Sequence, residues 1–125
     1  MQPAAFVMKW KNSKLKESAS SKEHFIDLCG MLGMETPGND PTGAEFAFEK
    51  GLEKSTGGQG YADVWRKDRF AWEYKGKGKD LAAAYQQLQL YREALGNPPL
   101  LVVCDIDRFE VHTNFNNTVK RTALA

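Results

Sequence analysis

Arg69-Phe-Ala-Trp-Glu-Tyr-Lys75 is the stretch on which the fold turns. Phe70, Trp72 and Tyr74 alternate with Ala71, Glu73 and Lys75, and a period of two marks a β-strand with one buried face. The aromatic residues anchor that face, while Glu73 and Lys75, two apart, project together from the other. Upstream, Tyr61-Ala-Asp-Val-Trp65 is rich in strand formers, and Arg66 to Asp68 is a short polar connection. The two segments are therefore expected to pair as an antiparallel hairpin that brings Asp63 towards Glu73. One strand earlier, Phe46, Phe48 and Leu52 alternate with polar residues ahead of the turn composition Gly57-Gly-Gln-Gly60.

Downstream, Asp80 is placed as an N-cap, and Leu81, Ala84, Tyr85, Leu88, Tyr91 and Leu95 make one helical face, predicting a helix over 80–95. Asn97-Pro-Pro99 stops it. Leu100-Leu-Val-Val-Cys104 is a continuous apolar run, as in a strand covered on both faces, and 105–107 turns the chain into an alternating strand, Phe109 to Thr113. At the other end, Phe6, Val7 and Trp10 predict a short helix, and the lysine- and serine-rich stretch 11–21 a loop. Ser20 and Glu23 have capping-box spacing ahead of Phe25, Leu28, Cys29 and Leu32, predicting a second helix over about 21–33 that Gly33 ends. Pro37, Gly38, Asn39, Asp40 and Pro41 make 34–42 a loop.

The order ααβββαββ implies an α/β fold, a mixed β-sheet flanked by helices. The expected organisation is a single domain over 1–125: a helical part and loop over 1–43, a core over 44–113, and a polar, aperiodic stretch over 114–125 that reads as a frayed end and the start of a linker.

With 42% hydrophobic and 26% charged residues, a chain of 125 residues buries a core without disulfides and is not a disordered tail. Cys29 and Cys104 are too few and too far apart for a zinc site or disulfide framework, so reduced, buried thiols are expected. No apolar run is long enough to cross a bilayer and no secretory signal begins the chain, which predicts a cytoplasmic protein without a membrane partner. Seventeen basic residues against sixteen acidic give a net charge of +1, so any contact with nucleic acid must come from local clusters. Lys75, Lys77 and Lys79 beside Arg66, Lys67 and Arg69 are expected to form one such basic surface. Lys9, Lys11, Lys14 and Lys16 are a second group, read as a solvated helix end or an attachment surface.

Asp63 and Glu73 carry the chemistry. Two neighbouring carboxylates are costly unless a cation lies between them, and oxygen ligands with a backbone carbonyl and waters suit Mg²⁺, with Mn²⁺ as substitute. Lys75 on the same face would orient an attacking water and stabilise transition-state charge in phosphodiester hydrolysis. The plainer reading of Glu73 and Lys75 is a solvent-facing polar row. Gly76-Lys-Gly-Lys79 lacks the spacing of a phosphate-binding loop, and Asn97-Pro-Pro-Leu100 lacks the aromatic residue of an adenine methyltransferase site. His24 and His112 have no partner at metal-ligand spacing and read as structural. Of Glu23, Glu45 and Glu49, Glu49 lies nearest the sheet centre and is the candidate for a further acid.

Gly60-Tyr-Ala-Asp63, Glu73-Tyr-Lys75 and Gln87-Leu-Gln-Leu-Tyr91 resemble the active-site region of the PD-(D/E)XK nuclease superfamily, including the Gln-x-x-x-Tyr helix motif of its RecB-like members. From Phe70 through His112-Thr-Asn-Phe115 the chain is similar to the N-terminal endonuclease domain of MmeI-type restriction-modification enzymes. Ala62 stands where the superfamily's proline precedes the aspartate, as in many relatives. The resemblance implies a restriction-endonuclease-like core, with Asp63, Glu73 and Lys75 catalytic and Asp63 and Glu73 binding the metal. It also implies that Gln87 and Tyr91 support the site or contact DNA, with Lys77 and Lys79 meeting backbone phosphates.

On that resemblance the chain is a Mg²⁺-dependent DNA endonuclease domain, the cleavage module of a combined restriction endonuclease and adenine-N6 DNA methyltransferase. Its partner is double-stranded DNA. The methyltransferase domain, to which S-adenosylmethionine would belong, and the target-recognition domain are absent from this sequence. Since one site cuts one strand, a transient dimer on DNA is expected for double-strand cleavage. The opposing reading is a non-catalytic docking or DNA-backbone-binding module that retains the nuclease fold.

Overall fold

The computed structural model describes residues 1–53, 59–116 and 118–123. In chain order it contains α1 (Pro3–Lys11), α2 (Glu17–Leu32), a 3₁₀ turn (Pro37–Asn39), β1 (Phe46–Glu53), β2 (Gln59–Arg66), β3 (Phe70–Tyr74), α3 (Leu81–Tyr91), β4 (Leu100–Cys104), β5 (Arg108–Thr113) and β6 (Val119–Ala123). The six strands form one sheet in sequence order, antiparallel except where β3 and β4 run parallel across the α3 crossover. This is the α/β fold with a mixed, helix-flanked sheet expected of a restriction-endonuclease-like core.

The period-two reading of β3 sorts the sheet into two layers. Phe70, Trp72 and Tyr74 pack with Phe6, Trp10 and Phe25 of α1 and α2, whereas Ala71 lies with Leu81, Ala84 and Leu88 of α3. In β4, Val102 and Cys104 join the first layer and Leu101 and Val103 the second, so its unbroken apolar run is buried on both faces. Both cysteines are free and buried, and burial raises their thiol pKa values.

Several local expectations are corrected. α2 begins four residues early, at Glu17, because Ser20 does not cap it: the Ser20 hydroxyl is buried and donates to the Lys16 carbonyl one turn back. Gly33 does end it, in a left-handed conformation, with Met34 N–H donating to Cys29 O at 2.8 Å. Asp80 caps α3 as expected, accepting from the Ala82 and Ala83 N–H groups, but regular helix stops at Tyr91 and Leu95 is buried from the turn that follows. The stretch read as a frayed end carries β6, paired along β5 from Val119↔His112 to Ala123↔Arg108. Its sequence hides it, since β6 is exposed along most of its length and needs no apolar alternation. Of the turn expected at 57–60, residues 57 and 58 lie outside the described residues, and Gln59 and Gly60 belong to β2.

His24 lies fully buried within the aromatic layer, its ring beside Phe6, Trp10, Tyr74 and Phe109, and its Nδ1 is 2.8 Å from the Tyr74 hydroxyl. Burial lowers its pKa from 6.5 to about 4. Between those values the unfolded chain binds a proton that the folded chain does not, so this group's contribution to stability is lost as the pH falls through that window, by up to about 3 kcal/mol. Urea denaturation at pH 7 and pH 4.5 is expected to show this loss, and His24→Gln to flatten it. An unchanged pH slope in the variant would assign the loss to carboxyl groups instead.

Candidate active site

The β2–β3 hairpin is regular at its closed end, where Arg66↔Phe70, Trp65↔Ala71 and Val64↔Trp72 pair, and the ladder stops before Asp63 and Glu73. There the Asp63 side chain takes the place of a ladder acceptor, its Oδ2 accepting the Tyr74 backbone N–H at 2.7 Å. On the other side of the same strand, Lys75 N–H donates to Cys104 O of β4 at 2.8 Å. The end of β3 is thus fastened from both flanks, and from behind by the Tyr74 ring.

Glu73 is only 5% exposed and its carboxyl hydrogen-bonds to Asp63. Burial, followed by that hydrogen bond and the Asp63 charge, drives the Glu73 pKa far above the carboxylate range, against a smaller opposing pull from Lys75. At neutral pH, in the absence of a cation, Glu73 therefore holds its proton. Lys75, two residues along, projects beside Glu73 as the alternation predicts. Its Nζ donates to Gln87 Oε1 of α3 at 3.2 Å, and Gln87 Nε2 donates to the Tyr91 hydroxyl at 3.2 Å. Asp63, Glu73, Lys75, Gln87, Tyr91 and Gly60 line one cleft of about 280 Å³.

Gly60 is the residue whose part is not evident from the motif alone. A Cβ at this position would lie 2.8 Å from the Tyr91 hydroxyl and 2.9 Å from its Cζ. The sequence places Gly60 in a turn, which hides its role; inside β2, a glycine marks close approach of another group. Tyr91 is 2% exposed and has little room to yield. Gly60→Ala is expected to destabilise the protein by about 1–3 kcal/mol and displace the Tyr91–Gln87–Lys75 chain. Thermal unfolding with an Nζ-detected spectrum of Lys75 checks both, and an unperturbed Lys75 environment would show that the chain does not depend on this contact.

Other expected positions fall elsewhere. Lys77 Nζ is engaged, donating to the carbonyls of Trp10, Lys11 and Ser13 at the end of α1 and standing 3.5 Å from Asp107 Oδ1. That is a structural tie, favoured by the free carbonyls of a helix C-terminus. Lys79 has an exposed side chain, while its carbonyl accepts from Arg108. Arg66, Lys67 and Arg69 do not join Lys75 in one basic surface. They line a separate cavity of 420 Å³ at the closed end of the hairpin, with Glu35, Asp40, Glu45 and Asp68 among them. The six residue steps from Arg69 to Lys75 span roughly 20 Å in extended chain. Glu49 is exposed, 3.5 Å from Lys22 Nζ, and lies outside the Glu73–Lys75 cleft but borders, with Asp63, a small cavity on the α2 side of the hairpin. His112 stacks on Tyr85 at 3.7 Å and lies 3.2 Å from Glu110.

Among the described residues, no three His, Cys, Asp or Glu side chains are grouped to share a metal ion. What the cleft offers is two carboxyls of one hard-donor type, one of them buried and proton-loaded, next to open volume. A divalent cation that keeps several waters, as Mg²⁺ does, fits that donor set, because displacing the Glu73 proton lets its buried carboxylate face a cation rather than a bare neighbouring acid.

Neither a family model nor a curated protein sequence matches the chain. Among solved structures it is similar to part of a chain in the DrdV–DNA complex determined by cryo-electron microscopy. The identity is 15% and the TM-score 0.48, and the match covers 96% of this chain and 12% of that one. Among the described residues no helix is long and apolar enough to cross a membrane.

Proposed function

We propose that this chain is a DNA-acting domain of the PD-(D/E)XK nuclease type, which hydrolyses DNA phosphodiester bonds with Mg²⁺ or Mn²⁺ held by Asp63 and Glu73. The observation that carries the reading is the convergence of the buried Glu73 with Asp63 and Lys75 in one cleft. A solvent-facing polar row would leave all three exposed, and Glu73 is not.

Each residue has a definite task. Asp63 is oriented by the Tyr74 N–H and Glu73 by burial, so the pair presents its oxygens without reorganisation. The bound cation supplies positive charge at the phosphate. Lys75 keeps an ammonium beside that position and is held at reach by Gln87, where it orients the incoming water and compensates negative charge as the phosphorus gains a fifth oxygen. An arginine there would not give up a proton readily. Tyr91 fixes Gln87 and touches no substrate on this reading. The setting within a restriction-modification enzyme, and a dimer that forms on DNA, belong to the same proposal.

The test is cation binding followed by cleavage. Mn²⁺ titration read by electron paramagnetic resonance is expected to show one site, lost in Asp63→Asn, and Mn²⁺ is expected to support nicking of supercoiled plasmid. A wild-type chain whose Mn²⁺ signal is indistinguishable from that of Asp63→Asn would overturn the reading.

A further inference from the structure

Glu49 has a backbone φ of 52°, and it lies inside β1. The other non-glycine residues with positive φ among those described, Asp68, Asn97 and Ile106, all lie in connections between elements. A left-handed glutamate within a strand costs about 1 kcal/mol or more, and such strain persists only where its surroundings impose it.

The strain coincides with a reversal of facing in two strands at once. Phe48↔Val64 and Lys50↔Ala62 pair in the same register, so neither strand carries an extra residue, and the Glu49–Asp63 step between them is unpaired. In an uninterrupted strand, residues two apart share a face. Here Phe46 and Phe48 meet Phe25 of α2, whereas Lys50 Nζ sits 4.6 Å over Trp65, whose indole packs in the α3 layer. In β2, Val64 belongs to the α1–α2 layer and Ala62 to the α3 layer. Both strands turn over at the same rung.

The candidate site requires that turn. Gly60 must face α3 to seat Tyr91, and Asp63 must face the same side to meet Glu73. With a period of two, residues 60 and 63 cannot share a face; one reversal between them allows it. We infer that Glu49 is a positioning residue, whose left-handed backbone lets β2 reverse at Asp63 and so brings the acid pair and the Lys75–Gln87–Tyr91 chain into one cleft. The inference rests on the proposed reaction for its purpose, but its geometry is testable without it. The Glu49 carboxylate is not needed, since its exposed ion pair with Lys22 is of a kind that contributes little.

The test compares Glu49→Gly and Glu49→Asn, which accept positive φ, with Glu49→Ala and Glu49→Val, which resist it increasingly. The readouts are hydrogen exchange of the Tyr74 amide in metal-free protein and Mn²⁺ affinity. Tyr74 protection and Mn²⁺ affinity are expected to stay near the wild-type level in the Gly and Asn variants. Protection is expected to fall by about tenfold or more in Val, with Ala between, while Val102 in the sheet centre stays protected. If Val does not fold, the Ala variant against Gly and Asn carries the comparison. Equal loss of Mn²⁺ affinity in Gly, Asn and Val would make the carboxylate a ligand and overturn the inference, as would unchanged Tyr74 protection in Ala and Val. Absence of Mn²⁺ binding in the wild type would sink the proposed reaction, yet leave the exchange ranking to decide this inference alone.

Discussion

Lys75→Ala is expected to slow Mn²⁺- or Mg²⁺-supported nicking of plasmid DNA by about 10²–10³-fold while leaving the fold intact. The ammonium lies in the open cleft beside the acid pair, and its Nζ makes one side-chain hydrogen bond, to Gln87, so truncation removes charge from the reacting region without opening the core. Lys75→Arg restores a positive charge but lacks the compact, labile ammonium, and should recover only part of the rate. Single-turnover nicking, thermal unfolding and DNA-binding anisotropy separate the three contributions. Cleavage at the wild-type rate in Lys75→Ala, with unfolding unchanged, would remove Lys75 from the mechanism.

Glu73→Gln should have opposite effects on stability and activity. The folded-state pKa of Glu73 is raised, so its stabilising contribution is complete below the ordinary carboxylate range and is lost as the pH rises towards the folded value. Metal-free wild-type protein therefore becomes less stable from about pH 4.5 upwards on account of this group. The amide keeps the shape and hydrogen-bonding capacity without that titration. In EDTA at pH 8 the variant is expected to be more stable than wild type by about 3 kcal/mol, with a flatter pH dependence, and to lose cleavage. Added Mg²⁺ should stabilise the wild type and not the variant, because only an ionised pair gains from the cation. Urea midpoints across pH 5–8, with and without Mg²⁺, measure this. A variant less stable than wild type at pH 8 in EDTA would mean that the buried carboxyl is satisfied as it stands and that no cation is needed there.

The stability gain and the functional loss in Glu73→Gln have one origin. A buried acid beside another acid is a poor structural element, and the fold tolerates it at the open end of the β2–β3 hairpin, where the ladder has already stopped. The aromatic layer behind it compensates: Trp72 and Tyr74 pack against Phe109 and His24, fixing β3 from the face opposite Glu73.

The sequence by itself determined the alternation of β3, the double burial of β4, the Asp80 cap, and the pairing of Glu73 with Lys75 on one face. These follow from periods of 2 and 3.6 and from capping chemistry, which act over a few residues. Strand β6 escaped because an exposed edge strand carries no burial pattern, and α2 was read short because Ser20, a residue suited to capping, bonds backwards inside the helix. Lys77 and the group Arg66, Lys67 and Arg69 show the same limit for charge: proximity in sequence suggested one basic surface, whereas the strand's length carries the arginines away and the end of α1 claims the lysine. The depth of Glu73, the contact of Gly60 with Tyr91 and the reversal opposite Glu49 were decided by tertiary structure alone. Each depends on what a distant segment places against the residue, and no local period records that.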